Sequence, residues 1–253
     1  MNWKNWVLAG VLAGVGAGAV WLSVETTGRQ GAWMHYVEAS TESRYVQPVL
    51  NIDVALKQTW MISSDSGKGT GVAVKLTDSR VVVLTAAHVV QGATEVILVK
   101  EERTRDGSVA VRMVKAKVLK SWPEWDVTVL VPEFPHWVSE STILAKDSHA
   151  PLGSRLTHVG CMLGAGFPHS ITQGIVSNWN VQPGDRECPG WPWKHPLDLT
   201  DAGIVPGSSG GPLFNDAGEV VGIVVGSAGH PLSVFVPARD IKPLLDEVRK
   251  VSH

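Results

Sequence analysis

The chain has 253 residues, of which 44% are hydrophobic and 18% are charged, and its formal net charge at pH 7 is -2. This composition supports a sizeable packed core and excludes wholesale disorder. The length accommodates one two-lobed domain or two small domains. A nearly neutral chain has no electrostatic reason to bind nucleic acid, so no nucleic-acid partner is expected.

The N-terminal segment predicts contact with a membrane. Residues 6–24 carry no charge; Lys4 precedes this run and Glu25 follows it. A helix of that length spans about 28 Å and crosses the hydrocarbon core, and the positive-inside rule then exports the rest of the chain to the periplasm or the extracellular space. We therefore expect a transmembrane anchor at 1–24 and a linker at 25–48. A signal peptide cleaved near the small residues at 17–19, which would release a secreted protein, is the competing interpretation.

Short β-type runs separated by turn residues follow the linker. They cover residues 70–76, 81–87, 95–100, 109–119, 126–131, 155–162, 171–181, 219–225 and 233–237. The sequence Asn-Asp-Ala-Gly at 215–218 predicts a hairpin turn, because these residues tolerate positive φ. Apolar residues recur at helical spacing only near the end, at positions 241, 244, 245 and 248. The pattern predicts an all-β fold, an antiparallel barrel or sandwich, with a C-terminal helix. Prolines at 132–151 suggest a division into residues 49–140 and 141–253.

Three stretches carry residues suited to nucleophilic catalysis. Ser209 lies in the segment Gly-Ser-Ser-Gly-Gly-Pro at 207–212. Glycines there permit a tight turn that aims the N–H groups of Gly207 and Ser209 at one point. His88 follows an apolar run, a suitable position for a general base beside a cleft. Asp126 opens an apolar strand, where an unpaired carboxylate is costly, so a bond to an imidazolium is expected.

The order His, Asp, Ser and the motifs around it resemble the chymotrypsin-like serine proteases, and most closely their HtrA-type (Deg-type) branch. The resemblance covers about residues 60–247. It rests on Thr-Ala-Ala-His-Val-Val at 85–90, on the glycine-rich stretch at 67–72, and on the segments at 166–177 and 200–214. It implies two antiparallel β-barrels of the chymotrypsin type followed by a C-terminal helix.

The same resemblance implies a serine endopeptidase that hydrolyses peptide bonds of exported proteins through an acyl-enzyme. His88, Asp126 and Ser209 would form the catalytic triad, and Gly207 and Ser209 the oxyanion hole. No metal or organic cofactor is implied. The partners would be a protein or peptide substrate and, by analogy with HtrA-type trimers, further copies of the chain. Because the sequence ends at residue 253, we expect no PDZ domain in this chain.

By motif position the specificity pocket would have Gly203 near its base, with Val224, Val225 and Gly226 along a wall. No acidic residue falls at the base position, which favours small or medium aliphatic side chains over Lys or Arg.

Other functions compete with this interpretation. The segment at 207–211 also fits the nucleophile elbow of esterases, but that fold needs the order Ser, acid, His and alternating helices. A protease-like fold that serves as a binding or chaperone module is an alternative from a different class. Cys161 and Cys188 fit one disulfide or two thiols. Together with His169 and His195 they fit a metal site, although none of these spacings is a tight pair.

Overall fold

The computed structural model describes residues 24–25, 33–34, 49–77, 80–104, 106–138, 140–146, 150–162, 167–182, 193–229 and 231–251. The chain divides into two units, Met1–Gln47 and Pro48–His253. In the first unit the described residues are two short strands, β1 (Val24–Glu25) and β2 (Trp33–Met34), which pair antiparallel. Strand β1 spans the boundary between the predicted membrane segment and the predicted linker, and β2 lies within the linker. The predicted membrane segment lies outside the described residues except for Val24. Within the described ranges, each helix is too short or too polar to span a bilayer.

The described part of the second unit contains two closed six-stranded antiparallel barrels, which confirms the predicted all-β architecture. A short helix, α1 (Ile52–Gln58), precedes them. The first barrel consists of β3 (Thr59–Ser64), β4 (Gly67–Thr77), β5 (Arg80–Thr85), β6 (Glu95–Arg103), β7 (Val109–Trp122) and β8 (Val127–Pro132). The second consists of β9 (Arg155–Met162), β10 (Phe167–Val181), β11 (Leu197–Thr200), β12 (Pro212–Phe214), β13 (Val220–Gly229) and β14 (Leu232–Pro237).

The two barrels share one strand order. Around the first barrel the strands run β3-β4-β5-β8-β7-β6, and around the second they run β9-β10-β11-β14-β13-β12. In each case the first three strands are neighbours in sequence order and the last three return in reverse order. The fold therefore repeats one six-stranded unit, and each repeat contributes loops that can meet those of the other.

The burial pattern of each strand matches the hydrophobic pattern of its sequence. The run Val82, Val83 and Leu84 on β5 has no exposed surface, as expected for a strand that is covered on both faces. Along β7 the pattern alternates instead: Val114 and Ala116 are buried, and the basic residues between and around them are exposed. These exposed basic residues therefore lie on the outer face of the first barrel.

Residues 140–146 connect the barrels by hydrogen-bonding to both of them. Thr142 N donates to Ala73 O on β4 at 3.0 Å, and Val220 N on β13 donates to the carbonyl of Ile143 at 2.9 Å. The boundary predicted at residue 140 lies in this connection. Because the segment is paired on both sides, it fixes β4 relative to β13.

The C-terminal helix and the hairpin turn agree with the sequence predictions. Helix α2 covers Ala238–Val251 and packs against β13, β14 and β4. Its four predicted apolar positions are buried: Ile241, Leu244, Leu245 and Val248. At the turn between β12 and β13, Gly218 N donates to Asn215 O at 3.0 Å.

Candidate active site

His88 lies on a single 3₁₀ turn, Ala87–Val90, that follows β5. Ala87, Val89 and Val90 are buried, whereas 45% of the His88 side chain is exposed. The buried neighbours anchor the turn in the first barrel, so the imidazole stands at the surface of a cleft with its ring accessible.

Asp126 ends the loop between β7 and β8 and binds His88 through both carboxylate oxygens. Oδ2 accepts from His88 Nδ1 at 2.7 Å, and Oδ1 accepts from the His88 backbone N–H at 2.9 Å. The Asp126 carbonyl accepts from Ala87 N at 3.1 Å. Because a carboxylate only accepts, His88 Nδ1 is the donor in this bond. Asp126 has φ 52°, a left-handed conformation that aspartate tolerates better than most residues and that these three contacts hold in place.

The serine loop, which we define as residues 207–212, joins the second barrel to the first. Thr70 on β4 donates its N–H to Ser209 O at 2.8 Å and its hydroxyl to Gly207 O at 2.7 Å. Behind the loop, Gly210 N donates to Val224 O at 2.7 Å. Contacts on both sides therefore fix the backbone around Ser209.

The N–H groups along this loop divide into two sets. Those of Ser208, Gly210 and Gly211 donate to the carbonyls of Val205, Val224 and Ser208, respectively. Those of Gly207 and Ser209 donate to no acceptor among the described residues. Backbone N–H groups are rarely left without a partner, and these two are the pair that the sequence predicts as an oxyanion hole.

Gly69 separates the serine loop from the turn that carries His88. A Cβ atom at Gly69 would lie 2.6 Å from Val89 Cγ2 and 2.9 Å from Ser209 O, so a glycine there lets the two segments approach each other. Within the described residues, no hydrogen bond joins the His88 ring to the Ser209 hydroxyl. The structure thus pairs His88 with Asp126 and brings the Ser209 backbone to the adjacent segment.

A cavity of about 640 Å³ opens beside the His88–Asp126 pair. Its walls come from the His88 turn and the residues that follow it, from β7 and the loop after it, and from the second barrel and its loops. The lining residues are Ala87, His88, Val90, Gln91, Gly92, Ala93, Val118, Ser121, Pro123, Asp126, Trp193 and Val225. Most of these side chains are apolar. The cavity is therefore suited to an apolar group bound next to the imidazole.

The residues predicted to form the specificity pocket lie in different surroundings. Gly203 is exposed, and a Cβ atom there would contact nothing within 4 Å. The Val224 side chain is buried in the second barrel, while Val225 lines the cavity beside His88. Gly226 is covered by the Trp193 ring, since a Cβ atom there would lie 2.6 Å from Trp193 Cη2.

Trp193 is a site residue that sequence reasoning missed. Trp191 and Pro192 lie outside the described residues, but Trp193 is half-buried, and its indole Nε1 donates to Asp126 Oδ2 at 3.3 Å. No local sequence pattern predicts this contact, because the two residues are 67 positions apart.

The structure describes the side chains of two of the four suggested metal ligands, Cys161 and His195. Cys161 is buried, and burial raises the pKa of its thiol to about 11. Cys188 and the side chain of His169 lie outside the described residues. Across the described ranges, no three side chains of His, Cys, Asp or Glu are grouped to hold a metal ion.

A buried histidine underlies the serine loop. His158 on β9 has no exposed surface, and its Nδ1 donates to Pro212 O at 3.0 Å. Its Nε2 has no hydrogen-bond partner among the described residues. Burial lowers the pKa of His158 to about 4, because an imidazolium would lose its hydration there.

This histidine predicts acid destabilisation of the fold. In the unfolded chain the ring takes up a proton near pH 6.5, so the unfolded state binds more protons than the folded state between about pH 6.5 and pH 4. The free energy of unfolding should therefore fall as the pH drops through this window, by about 2 to 3 kcal/mol at pH 4.5. Urea unfolding at pH 7 and pH 4.5, in a Ser209→Ala background that prevents self-cleavage, measures this change. His158→Gln should lack this part of the pH dependence; equal dependence in both proteins would contradict the prediction.

The fold and the site define the class of protein: a double-barrel chain with a His–Asp pair and a glycine-rich serine loop where the barrels meet. Residues 69–223 match the family model of the trypsin-like peptidase domain. The chain belongs to the trypsin-like peptidase domain family.

Comparisons with individual proteins point to the HtrA-type branch. The chain is 29% identical over 189 residues to the serine protease Do-like HtrA of Bacillus subtilis (strain 168), a match that covers 73% of this chain and 40% of that protein. It is 35% identical over 142 residues to the probable periplasmic serine endoprotease DegP-like of Pseudomonas savastanoi pv. phaseolicola, covering 56% of this chain and 26% of that protein. The chain thus spans two fifths or less of the length of these curated relatives.

Among solved structures, the inactive form of the Rv3671c protease, a protein of M. tuberculosis H37Rv, has a similar fold. The TM-score is 0.62 at 22% sequence identity, and the match covers 78% of this chain and 91% of that one.

Proposed function

We propose that this chain is a serine endopeptidase that cleaves peptide bonds through an acyl-enzyme, with Ser209 as nucleophile, His88 as general base and Asp126 as its orienting acid. The observation that carries this proposal is the two-point bond between the Asp126 carboxylate and His88. It holds the proton on Nδ1 and leaves Nε2 free to take a proton from a serine hydroxyl.

The proposed reaction has two halves. His88 Nε2 removes the Ser209 proton as the hydroxyl oxygen attacks the peptide carbonyl, and the imidazolium then gives that proton to the leaving amine. A water molecule, activated by the same imidazole, hydrolyses the ester that remains. The carboxylate of Asp126 stabilises the imidazolium in both halves.

The negative charge that forms on the carbonyl oxygen needs donors that are already in place. The N–H groups of Gly207 and Ser209 are without acceptors in the described residues, so they are available for this oxygen. Donors fixed in advance are worth most because they need no reorganisation when the charge develops. The contacts of the loop with Thr70 on one side and with Val224 on the other provide that fixation.

Substrate choice and location follow as parts of the same proposal. An exposed Gly203 and an apolar Val225 favour small or medium aliphatic side chains on the substrate. The uncharged segment at 6–24 would anchor the protein in a membrane and leave the peptidase on the outer side, where exported proteins are its substrates. The DegP-like relative is named a probable periplasmic serine endoprotease, which supports this location. Assembly into a homo-oligomer remains a prediction from the HtrA-type resemblance.

A second candidate function is a protease-like binding or chaperone module without catalysis. It is favoured by the missing hydrogen bond between the His88 ring and the Ser209 hydroxyl. Catalytic hydrogen bonds often form only when substrate is bound, so this observation alone does not decide between the two functions.

Labelling with a fluorophosphonate probe separates them. The full chain should react at one serine, Ser209, because only an activated hydroxyl attacks the probe at an appreciable rate. Ser209→Ala should abolish labelling and peptide cleavage together. Ser121→Ala is the matched control: this serine also lines the cavity, but its hydroxyl is hydrogen-bonded to Thr128 Oγ1 at 2.7 Å, and labelling should persist. Absence of labelling in the wild-type chain, with or without added peptide, would favour the binding module.

A further inference from the structure

The Asp126 carboxylate has a donor besides His88. Trp193 Nε1 donates at 3.3 Å to Oδ2, the same oxygen that accepts from His88 Nδ1 at 2.7 Å. Only 9% of the Asp126 side chain is exposed, so its carboxylate is largely shielded from water. Three N–H groups of described residues, the third being the His88 backbone amide, therefore surround this carboxylate.

The tryptophan is held in position from two directions. Its ring lies against Gly226 on β13, where a Cβ atom would come within 2.6 Å of Cη2. Two residues further along, the His195 ring stacks on Trp125 with their centroids 4.0 Å apart. The segment that carries Trp193 is thus attached directly to the residue that precedes Asp126, so the indole N–H and the carboxylate are placed by one local assembly.

The ring of Trp193 and its N–H group make different contacts, and their effects can be tested separately. Its ring forms a wall of the cavity beside His88, which would influence the binding of an apolar substrate group. Its N–H instead contacts the acid. Among the described residues that line the cavity, His88 and Asp126 are the only ones that carry an imidazole or a carboxyl group. A change in pH profile on loss of the N–H would therefore report on this pair.

We propose that Trp193 is a positioning residue for the reaction: its N–H orients the Asp126 carboxylate and takes up part of its charge, and thereby sets the basicity of His88. This inference rests on the proposed function. A hydrogen bond to a carboxylate is stronger than one between neutral groups, and shielding from water strengthens it further. Without the hydrogen bond from Trp193, the Asp126 carboxylate is less firmly oriented. More of its negative charge then acts on the His88 imidazole.

Trp193→Phe tests the proposal, because phenylalanine keeps an aromatic wall and removes the N–H. In the full chain, kcat for a peptide substrate should fall about tenfold while KM changes less than about twofold. The acidic limb of the kcat/KM profile should move to higher pH. The reason is that a carboxylate that no longer accepts from the indole stabilises the imidazolium more strongly. A residue that acted only as a cavity wall would change KM and leave the acidic limb in place.

Trp179→Phe is the matched control. It also removes an indole hydrogen bond, from Nε1 to Ala150 O at 2.8 Å, at a position outside the proposed site. Its kcat and pH profile should equal those of the wild type. A second variant, Gly226→Ala, displaces the ring of an intact Trp193 and should lower kcat and shift the acidic limb in the same direction; it replaces Trp193→Phe if that variant does not fold.

The outcomes are distinct. If the wild-type chain is not labelled by a fluorophosphonate, the proposed function fails and this inference fails with it. If the wild type is labelled and active but the Trp193 and Gly226 variants keep its kcat and acidic limb, only the role of Trp193 is overturned. Equal losses in the Trp179 control would likewise overturn it, because they would indicate a general effect of removing a tryptophan.

Discussion

Asp126→Asn is expected to lower kcat by about 10⁴-fold while the protein stays folded. An asparagine has nearly the same shape as the aspartate, but its NH₂ group cannot accept the Nδ1 proton of His88. If the amide oxygen keeps the bond to the backbone N–H of His88, the NH₂ faces the ring and moves the proton to Nε2. The nitrogen that should receive the serine proton would then carry one already.

Active-site titration with a fluorophosphonate and steady-state kinetics across the pH range would measure this effect. The activity that remains should rise with pH, because hydroxide can replace part of the missing base. Asp201→Asn provides a comparison, since this exposed carboxylate accepts from the Ile175 N–H and lies outside the proposed triad. A decrease of less than about tenfold for Asp126→Asn would show that another group orients His88, and the proposed triad would then be wrong.

Some strands of the fold can be predicted from the sequence and others cannot, for physical reasons. Runs such as 81–87 and 109–119 combine β-branched side chains with clear turns and were located to within a few residues. The sequence does not predict three of the barrel strands: β3 (Thr59–Ser64), β11 (Leu197–Thr200) and β12 (Pro212–Phe214). Two of these are only three or four residues long, and they are specified by the neighbours that they pair with more than by their own sequence.

The site shows the same limit. The sequence predicts a partner for Asp126 because a carboxylate that opens an apolar strand is costly unless it is paired, and the structure shows a 2.7 Å hydrogen bond from His88 Nδ1. The third donor to the carboxylate was not predictable, because Trp193 reaches Asp126 only through the closure of both barrels. The left-handed backbone of Asp126 was equally hidden, since it depends on three contacts with the His88 turn.

Gly210→Ala should have the largest effect on stability and should inactivate the protein as well. Gly210 has φ 81°, which alone costs an L-residue about 1 to 2 kcal/mol. A Cβ atom there would also lie 2.2 Å from Thr85 Oγ1, 2.3 Å from Thr70 O and 2.7 Å from Ala86 N. Two of these atoms are backbone, so the overlap can be relieved only if the serine loop moves away from the first barrel. We therefore expect a total destabilisation of about 3 to 5 kcal/mol.

Gly218→Ala separates backbone strain from this overlap. Gly218 has φ 80°, nearly the same conformation, but its nearest neighbour to a new Cβ atom would be Leu50 Cδ1 at 3.7 Å. Its variant should lose about 1 kcal/mol in urea unfolding and keep fluorophosphonate labelling. The Gly210 variant should lose labelling even under conditions where it remains folded, because displacing the loop breaks the bonds from Thr70 that fix the Ser209 backbone. Equal destabilisation of the two variants, with labelling retained in both, would mean that close docking of the loop on the first barrel does not set the reactivity of Ser209.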